Sequence, residues 1–244
     1  MTREERIEIF EGTKEYVESL DLTPKVIGFI PYSDKTVKIV AEDLKHITEY
    51  NKSNIIFDEC DTITAAIKYH KLYGGIDFLT FASSKHYGGG VWTGAKAQEE
   101  DIFRCTDLYK LKEDVENRYY PLNGILAVKC HIVRDKNFNN LDDEITATTF
   151  FAAAPNLNKK MHDPKLDIDF KSRMYCLTEA TLKHSTKNTL VIGAWGCGVF
   201  ANDPKYVASL FKKVMPLLFD DYEHIVVAIP DKQVLEIFKN TILQ

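Results

Sequence analysis

Short apolar runs typical of β-strands alternate with segments of helical spacing, and this alternation restricts the fold more than any other feature of the chain. The clearest β-like runs are 54–57, 78–81 and 189–193, and the helical segments that follow them are 61–73, 96–110 and 204–217. This order is characteristic of an α/β or mixed three-layer fold. No linker rich in Pro, Gly or Ser divides the 244 residues. We therefore expect one domain over 1–244, with residues 1–24 as a helical N-terminal extension.

The remaining segments are assigned from periodicity and from turn residues. We expect further strands at 26–30, 36–41, 125–133, 145–151 and 224–229, and further helices at 3–20, 170–185 and 233–240. Residues 112–124 are predicted to be a polar connection, and residues 155–169 a surface loop. Asp203 is the expected N-cap of the helix that starts at Pro204, a position that proline favours.

The composition excludes several classes of protein. Hydrophobic residues make up 45% of the chain and charged residues 27%, which excludes a disordered or collagen-like chain. The 31 basic and 36 acidic side chains give a net charge of −5, which argues against a general nucleic-acid binder. A local pocket built from backbone amides can still bind one polyanionic ligand.

The five cysteines are scattered and include no C-x-x-C pair, which argues against a disulfide framework and against a zinc site. No H-x-x-x-H pair, P-loop or G-x-S-x-G motif is present. The N-terminus has no apolar signal region, and no run approaches the ~18 apolar residues of a membrane span. We expect a monomer in the cytoplasm or another intracellular compartment, without a membrane partner.

The most informative stretch follows the run at 78–81. It contains three consecutive glycines, then seven residues, then an amide and two acids: Gly88, Gly89, Gly90, Gln98, Glu99 and Glu100. Because glycine has no Cβ, such a loop can adopt positive φ and bring its N–H groups close to a ligand. Open α/β sheets bind ligands directly after a strand. From the glycines alone, a mobile hairpin tip explains the pattern equally well.

Two adjacent glutamates begin the helix after the glycines. Glu99 shares a helical face with Ala95, Ile102 and Phe103, whereas Glu100 lies about 100° further round and is expected to be more exposed. The pair can simply complement the positive start of the helix. Alternatively, loop and helix aim two carboxylates at a ligand. One carboxylate then acts as general acid in glycosidic chemistry, and the other orients the sugar.

A second glycine loop follows the run at 189–193 and precedes the helix that Asp203 caps. Gly196 and Gly198 allow backbone amides to converge on an anion. Phe200 can stack on a base or ribose, or it can pack in the core. Cys197 is a weaker candidate for a nucleophile, because no His lies in its segment.

These motifs resemble those of the bacterial-type (microbial) poly(ADP-ribose) glycohydrolase family, which has a macrodomain fold. The family pattern of three glycines, six to eight residues and Gln-Glu-Glu occurs here with a spacing of seven. The segments 81–83, 94–97 and 193–200 are similar to the family as well. The resemblance extends over nearly the whole chain, from the N-terminal helix to Ala228.

The resemblance implies a three-layer α/β/α macrodomain with a mixed central sheet. It implies hydrolysis of the ribose–ribose O-glycosidic bond of poly(ADP-ribose), with Glu100 as catalytic acid and base and Glu99 holding the ribose hydroxyls. The substrate-binding residues that it implies are Gly88, Gly89, Gly90, Gln98, Gly196, Cys197, Gly198, Val199 and Phe200. Amides of both glycine loops, rather than a Lys/Arg surface, would hold the diphosphate. Neither a metal nor a cofactor is implied, and the expected partners are poly(ADP-ribose), ADP-ribose and ADP-ribosylated proteins.

Some positions leave the substrate open. Tyr87 and His86 stand where the family commonly has proline and asparagine, and we expect both beside the distal ribose. Asp61 and Thr62 are candidates for the adenine contact because an acid can accept from the adenine amine, although a helix cap explains them equally well. Two alternative functions remain. One is a reader that binds ADP-ribose without hydrolysis, and the other is a hydrolase of mono-ADP-ribosylated protein or nucleic acid.

Overall fold

The computed structural model of the protein describes residues 1–46, 50–158, 164–185 and 187–244. Within these residues the strands are β1 (Lys25–Pro31), β2 (Ile55–Asp58), β3 (Ile76–Phe81), β4 (Gly124–Arg134), β5 (Asn140–Ala152), β6 (Thr189–Ile192) and β7 (His224–Ala228). The helices are α1 (Arg3–Glu18), α2 (Asp34–Asp43), α3 (Thr62–Tyr73), α4 (Gln98–Phe103), α5 (Lys112–Tyr119), α6 (Pro164–His184), α7 (Pro204–Leu218) and α8 (Lys232–Leu243).

One mixed sheet joins the described strands in the order β1-β4-β5-β3-β6-β7-β2. β1, β4 and β5 pair antiparallel, and the pairs from β5 to β2 are parallel. The carboxyl ends of the parallel strands therefore lie along one edge of the sheet. The loops after β3 and β6, which are neighbours in the sheet, both start at this edge, where α/β sheets bind ligands.

Helices cover both faces of the sheet. Successive strand residues point to opposite faces, so Leu79 and Phe150 contribute to one hydrophobic core with α6, α7 and α8. Their neighbours Phe78 and Phe151 contribute to a second core with α1, α3 and α4. This arrangement confirms the predicted three-layer α/β/α fold with a mixed sheet. Among the described helices, none combines the length and the apolar character that a membrane span needs.

The predicted strand at 36–41 is wrong, because these residues belong to α2. The β-branched residues of this run favour a strand. However, the Ser33 side chain caps a helix by accepting from the Thr36 amide at 3.2 Å. Val37, Val40 and Ala41 then share a helical face that packs against the first core.

Three other boundaries differ from the predictions. The helix expected at 96–110 is only α4, because the chain leaves the helix after Phe103 and Thr106 forms a bridge to Ile132 of β4. The connection expected at 112–124 contains α5, a polar helix that buries only Val115 and so lacks a clear apolar face. The loop expected at 155–169 is wrong from Pro164 onwards, where α6 begins, and residues 159–163 lie outside the described residues.

Candidate active site

A cleft lies at the carboxyl edge of the parallel strands and consists of two adjoining cavities. The Asp61 cavity, of about 450 Å³, extends towards the start of α3, and the Phe200 cavity, of about 480 Å³, extends along the second glycine loop. The wall that both cavities share is formed by Phe81, Lys96, Ala97, Gln98, Ala194, Ile229 and Pro230. Of the predicted site residues, Asp61, Thr62, Gln98 and those of the second glycine loop line this cleft. The lining of the two cavities does not include Gly88, Gly89, Gly90, Glu99 or Glu100.

The first glycine loop, residues 82–97, wraps around the carboxyl groups of Glu99 and Glu100. Glu99 Oε2 accepts from the Ser83 amide at 2.7 Å, and Glu99 Oε1 accepts from the Gly88 amide at 3.0 Å. Glu100 Oε1 accepts from the Gly90 amide at 2.9 Å. The loop thus uses its own N–H groups to fix two adjacent carboxylates.

The loop can form these hydrogen bonds only with glycine at positions 88 and 89. Gly88 and Gly89 have φ of +77° and +55°, a region that side chains disfavour. A Cβ on Gly88 would lie 2.6 Å from the ring of Phe103, and a Cβ on Gly89 would collide with Glu100 Oε1. The third amide of the triplet, on Gly89, donates to the His86 carbonyl at 3.1 Å. All three amides therefore have protein partners, and the predicted role of these glycines in binding the diphosphate stays a prediction.

Both glutamates are almost completely buried, with exposed fractions of 3% for Glu99 and 7% for Glu100. Glu100 is the more exposed of the two, as expected, but only slightly, because the loop folds over the whole first turn of α4. Burial raises the pKa of Glu99 well above its ordinary value, and the Glu100 carboxylate adds to the rise, against the opposing effect of the Ser83 and Gly88 amides. The site thus places two carboxyl groups side by side in a region that water hardly reaches, where the charged form of Glu99 is disfavoured.

The second oxygen of Glu100 is the least satisfied atom of the pair. Glu100 Oε2 is buried and has no hydrogen-bond partner among the described residues. Glu100 therefore has one oxygen fixed by the loop and the other without a hydrogen bond in the described part of the chain.

Gln98 lines both cavities, but its amide is occupied by the protein. Its Oε1 accepts from the Phe81 amide at 2.8 Å, and its Nε2 donates to the Leu79 carbonyl at 2.7 Å and to Thr62 Oγ1 at 3.1 Å. Gln98 thus fastens the start of α4 to β3 and α3. These bonds assign it a positioning role, and its predicted contact with substrate stays a prediction.

Asp61 is the N-cap of α3, since its two oxygens accept from the Thr64 amide at 2.9 Å and hydroxyl at 2.6 Å. The cap interpretation is confirmed, and it does not exclude a ligand contact. A carboxylate has about four acceptor positions, and Asp61 lines its cavity with part of its side chain exposed. Thr62, in contrast, is buried and accepts from Gln98.

The second glycine loop, residues 193–203, is organised differently from the first. The Asn202 side chain holds it by donating to the Pro155 carbonyl at 2.8 Å and to the Gly196 carbonyl at 2.9 Å. Gly196 has φ of +75°, and Phe200 and the largely exposed Val199 line the Phe200 cavity. Among the described residues, the amides of Gly198, Val199 and Phe200 have no protein acceptor. These free N–H groups are suited to an anion.

Cys197 does not have the surroundings of a nucleophile. Burial raises the pKa of its thiol to about 12, and the Asp203 carboxylate adds to the rise. A reactive cysteine needs a lowered pKa, because the thiolate is the nucleophile. In the part of the chain that the structure describes, no group of three His, Cys, Asp or Glu residues is placed to hold a metal ion.

Tyr87 does not lie at the ligand surface as the sequence suggested. Its ring is fully buried beneath the first glycine loop, where its centroid is 4.9 Å from that of Phe103 and 4.9 Å from that of Phe151. The aromatic ring fills the core behind the glutamates, so its departure from the family pattern affects packing. His86 is exposed on the outer side of the loop.

Sequence reasoning missed the contribution of α1 to this site. Arg6 Nε donates to the Gly94 carbonyl at 2.7 Å, and Arg3 Nε donates to the Thr93 carbonyl. Gly94 has φ of +71°, and a Cβ there would collide with the backbone of Arg3. The N-terminal helix thus holds the part of the first loop that leads into α4.

A fully buried arginine, Arg104, also connects α1 to the first glycine loop. Arg104 Nε donates to the Arg6 carbonyl at 3.2 Å, Nη2 to the Ala95 carbonyl at 2.6 Å, and Nη1 to Asp101 Oδ1 at 2.9 Å. The Arg104 carbonyl accepts from the Thr13 hydroxyl at 2.7 Å. The partners are up to 98 residues apart in the sequence, so no local motif could predict them.

The fold and the cleft together define a macrodomain-like α/β protein whose buried carboxylate pair suits glycosidic chemistry. The family model described as "Microbial-type PARG, catalytic domain" matches residues 4–137, which is more than half of the chain. The chain belongs to the microbial-type PARG (poly(ADP-ribose) glycohydrolase) catalytic-domain family. The family, the fold and the class of enzyme, a glycosidase, are thereby confirmed as predicted.

Solved structures agree with this assignment. PARG from Thermomonospora curvata bound to the inhibitor ADP-HPD has 24% identity and a TM-score of 0.76, over 97% of this chain and 99% of that chain. PARG from Deinococcus radiodurans in complex with ADP-ribose has 25% identity and a TM-score of 0.74, over 88% of this chain and 94% of that one. A comparison with curated proteins gives no match.

Proposed function

We propose that this protein hydrolyses the ribose–ribose O-glycosidic bond of poly(ADP-ribose) and releases ADP-ribose. The observation that carries the proposal is the Glu100 carboxyl, which is held by the Gly90 amide through one oxygen and has a buried, unpartnered second oxygen. Membership of the PARG family supports the substrate, as do the relatives solved with ADP-ribose and with ADP-HPD.

Glu100 first acts as the general acid. Its Oε2 gives a proton to the 2′-oxygen of the leaving ribose as the bond to the anomeric carbon breaks, which leaves an oxocarbenium-like centre. The resulting carboxylate then takes a proton from water as the water oxygen bonds to that carbon. The acid is restored, and one water is consumed for each bond cleaved.

Glu99 positions the sugar. Two of its acceptor positions are occupied by the Ser83 and Gly88 amides, and the remaining lone pairs can accept from ribose hydroxyls.

The two-part cleft matches the two halves of ADP-ribose. Adenosine occupies the Asp61 cavity, where the carboxylate of Asp61 accepts from the adenine amine. The terminal ribose lies in the Phe200 cavity, where the Phe200 ring packs against it. ADP-ribosylated proteins and an intracellular location stay predictions.

Product analysis with two substrates tests this function. The protein is incubated with poly(ADP-ribose) and, separately, with a mono-ADP-ribosylated protein, and the products are identified by mass spectrometry. Release of ADP-ribose from the polymer supports the proposal. Release only from the modified protein would identify a mono-ADP-ribosyl hydrolase, and binding without release from either substrate would identify a reader.

Glu100→Gln tests the catalytic assignment. The amide cannot donate a proton as an acid, so we expect release from the polymer to fall at least about a thousandfold. The ADP-ribose affinity, measured by calorimetry, should stay within about threefold of wild type because the side chain keeps its shape. Full activity of this variant would exclude Glu100 as the acid.

A further inference from the structure

The diphosphate of ADP-ribose must lie where the two cavities meet, if adenosine and terminal ribose occupy them as proposed above. The shared wall is mostly apolar or amide-bearing, and Lys96 is the single basic residue that the described part of the chain contributes to it. Lys136, a second described basic residue of the cleft lining, lines the Asp61 cavity but not the Phe200 cavity and lies 4.0 Å from Asp61 Oδ2.

The two glycine loops differ in the amides that they leave available to a diphosphate. Those of Gly88 and Gly90 are bonded to the two glutamates. Those of Gly198, Val199 and Phe200 have no acceptor among the described residues. The Phe200 cavity is thus lined both by residues with free N–H groups and by Lys96.

Lys96 is free to meet a ligand. Its side chain is exposed, and among the described residues its ammonium has no hydrogen bond and no close ion pair, although its charge acts to lower the pKa of Asp101. The nearby Asp101 carboxylate is already bonded to Arg104 Nη1 at 2.9 Å. The backbone of Lys96, by contrast, is fixed, because the Ala95 carbonyl before it accepts from Arg104.

We propose that Lys96 binds the diphosphate of the substrate, opposite the amides of Gly198, Val199 and Phe200, and so selects ligands that carry phosphate at the junction of the two cavities. This inference rests on the proposed function for the identity of the ligand. It changes the expectation that backbone amides alone hold the phosphates. An ammonium–phosphate contact adds a charge-assisted bond, and its strength falls as salt rises.

Binding to three variants tests the role of Lys96, with ADP-ribose and adenosine as probes in calorimetry at several salt concentrations. Lys96→Met should weaken ADP-ribose binding about tenfold and leave adenosine binding within twofold, because adenosine has no phosphate. Its plot of log affinity against log salt should lose about one unit of slope. Lys96→Arg should restore most of the affinity, since it keeps the charge.

Lys85→Met is the matched control. It removes the same charge from an exposed position of the first glycine loop that lines neither cavity. Its affinities and salt slope should equal those of wild type. The inference is overturned if Lys96→Met changes ADP-ribose binding less than twofold, if it weakens adenosine equally, or if Lys85→Met has the same effect.

The outcome for Lys96 can be separated from that for the function. If wild type shows the Lys96-dependent binding but releases nothing from the polymer, the inference holds and the proposed hydrolysis fails. If wild type releases ADP-ribose and Lys96→Met leaves affinity and salt slope unchanged, the function stands and the inference fails. Absence of any ADP-ribose binding by wild type would overturn the inference.

Discussion

The two glycine loops follow neighbouring strands of one sheet, yet they use their backbone amides in opposite ways. The first loop directs the amides of Gly88 and Gly90 inward, onto the protein's own glutamates. The second leaves the amides of Gly198 and Val199 without a protein acceptor. Glycine richness after a strand therefore does not by itself mean a phosphate site, because the acceptor can be part of the protein.

The loops also differ in how firmly they are held. The first is bonded to α1 through Arg3 and Arg6 and has no room for a Cβ at Gly89. The second is fixed mainly by Asn202, and a Cβ on Gly198 would meet nothing within 4 Å. Catalysis needs carboxylates in a fixed position, whereas a ligand-binding loop can adapt to what it binds.

Of the substitutions that test this difference between the loops, Gly89→Ala should have the largest effect on activity. The new Cβ would displace the Glu100 carboxyl and hold φ of +55° at a cost of about 1–2 kcal/mol, so we expect release from the polymer to fall about a hundredfold. Gly198→Ala is the matched substitution in the open loop, and its free energy of unfolding should stay within about 0.5 kcal/mol of wild type. An active Gly89→Ala protein would show that the loop does not position Glu100.

Arg6→Ala tests whether α1 positions the catalytic loop. The variant loses the bond to the Gly94 carbonyl, so we expect about 1 kcal/mol less stability in urea unfolding. The value of kcat should fall several-fold, while ADP-ribose affinity stays unchanged. Arg118→Ala, which removes an exposed pair with Asp114 and a contact with the Tyr119 ring away from the first loop, should change neither value. Equal effects of the two substitutions would contradict this role.

The buried carboxyl of Glu99 predicts a smaller effect, on how stability depends on pH. Burial raises the pKa of Glu99 above its ordinary value of 4.5. Above pH 4.5, Glu99 therefore holds its proton more strongly in the folded protein than in the unfolded chain. Because the folded state binds more protons, the free energy of unfolding falls as the pH rises. Glu99→Gln removes this contribution. In urea unfolding, its stability relative to wild type should therefore increase from pH 5 to pH 8. A constant difference would show that Glu99 does not carry the raised pKa.

The sequence was sufficient for the alternation of strands and helices and for the glutamate motif, since both depend on local periodicity and spacing. It failed at α2, where the β-branched run concealed the Ser33 cap, and at α5, which buries only Val115. The hydrogen bonds from the loop amides to the glutamates, and those from Arg104 that connect α1 with the first loop, join residues that are distant in the sequence. Spacing indicated that Glu99 and Glu100 matter, but only the folded chain shows what holds them.

Amide hydrogen exchange, followed by NMR with and without ADP-ribose, tests the difference between the loops most directly. Without ligand, the amides of Gly88 and Gly90 should already exchange slowly, because the glutamates accept from them, and ADP-ribose should change them little. The amides of Gly198, Val199 and Phe200 should exchange fast and slow down when ADP-ribose binds. Fast exchange at Gly88 and Gly90 that slows only with ligand, with no change in the second loop, would contradict the account.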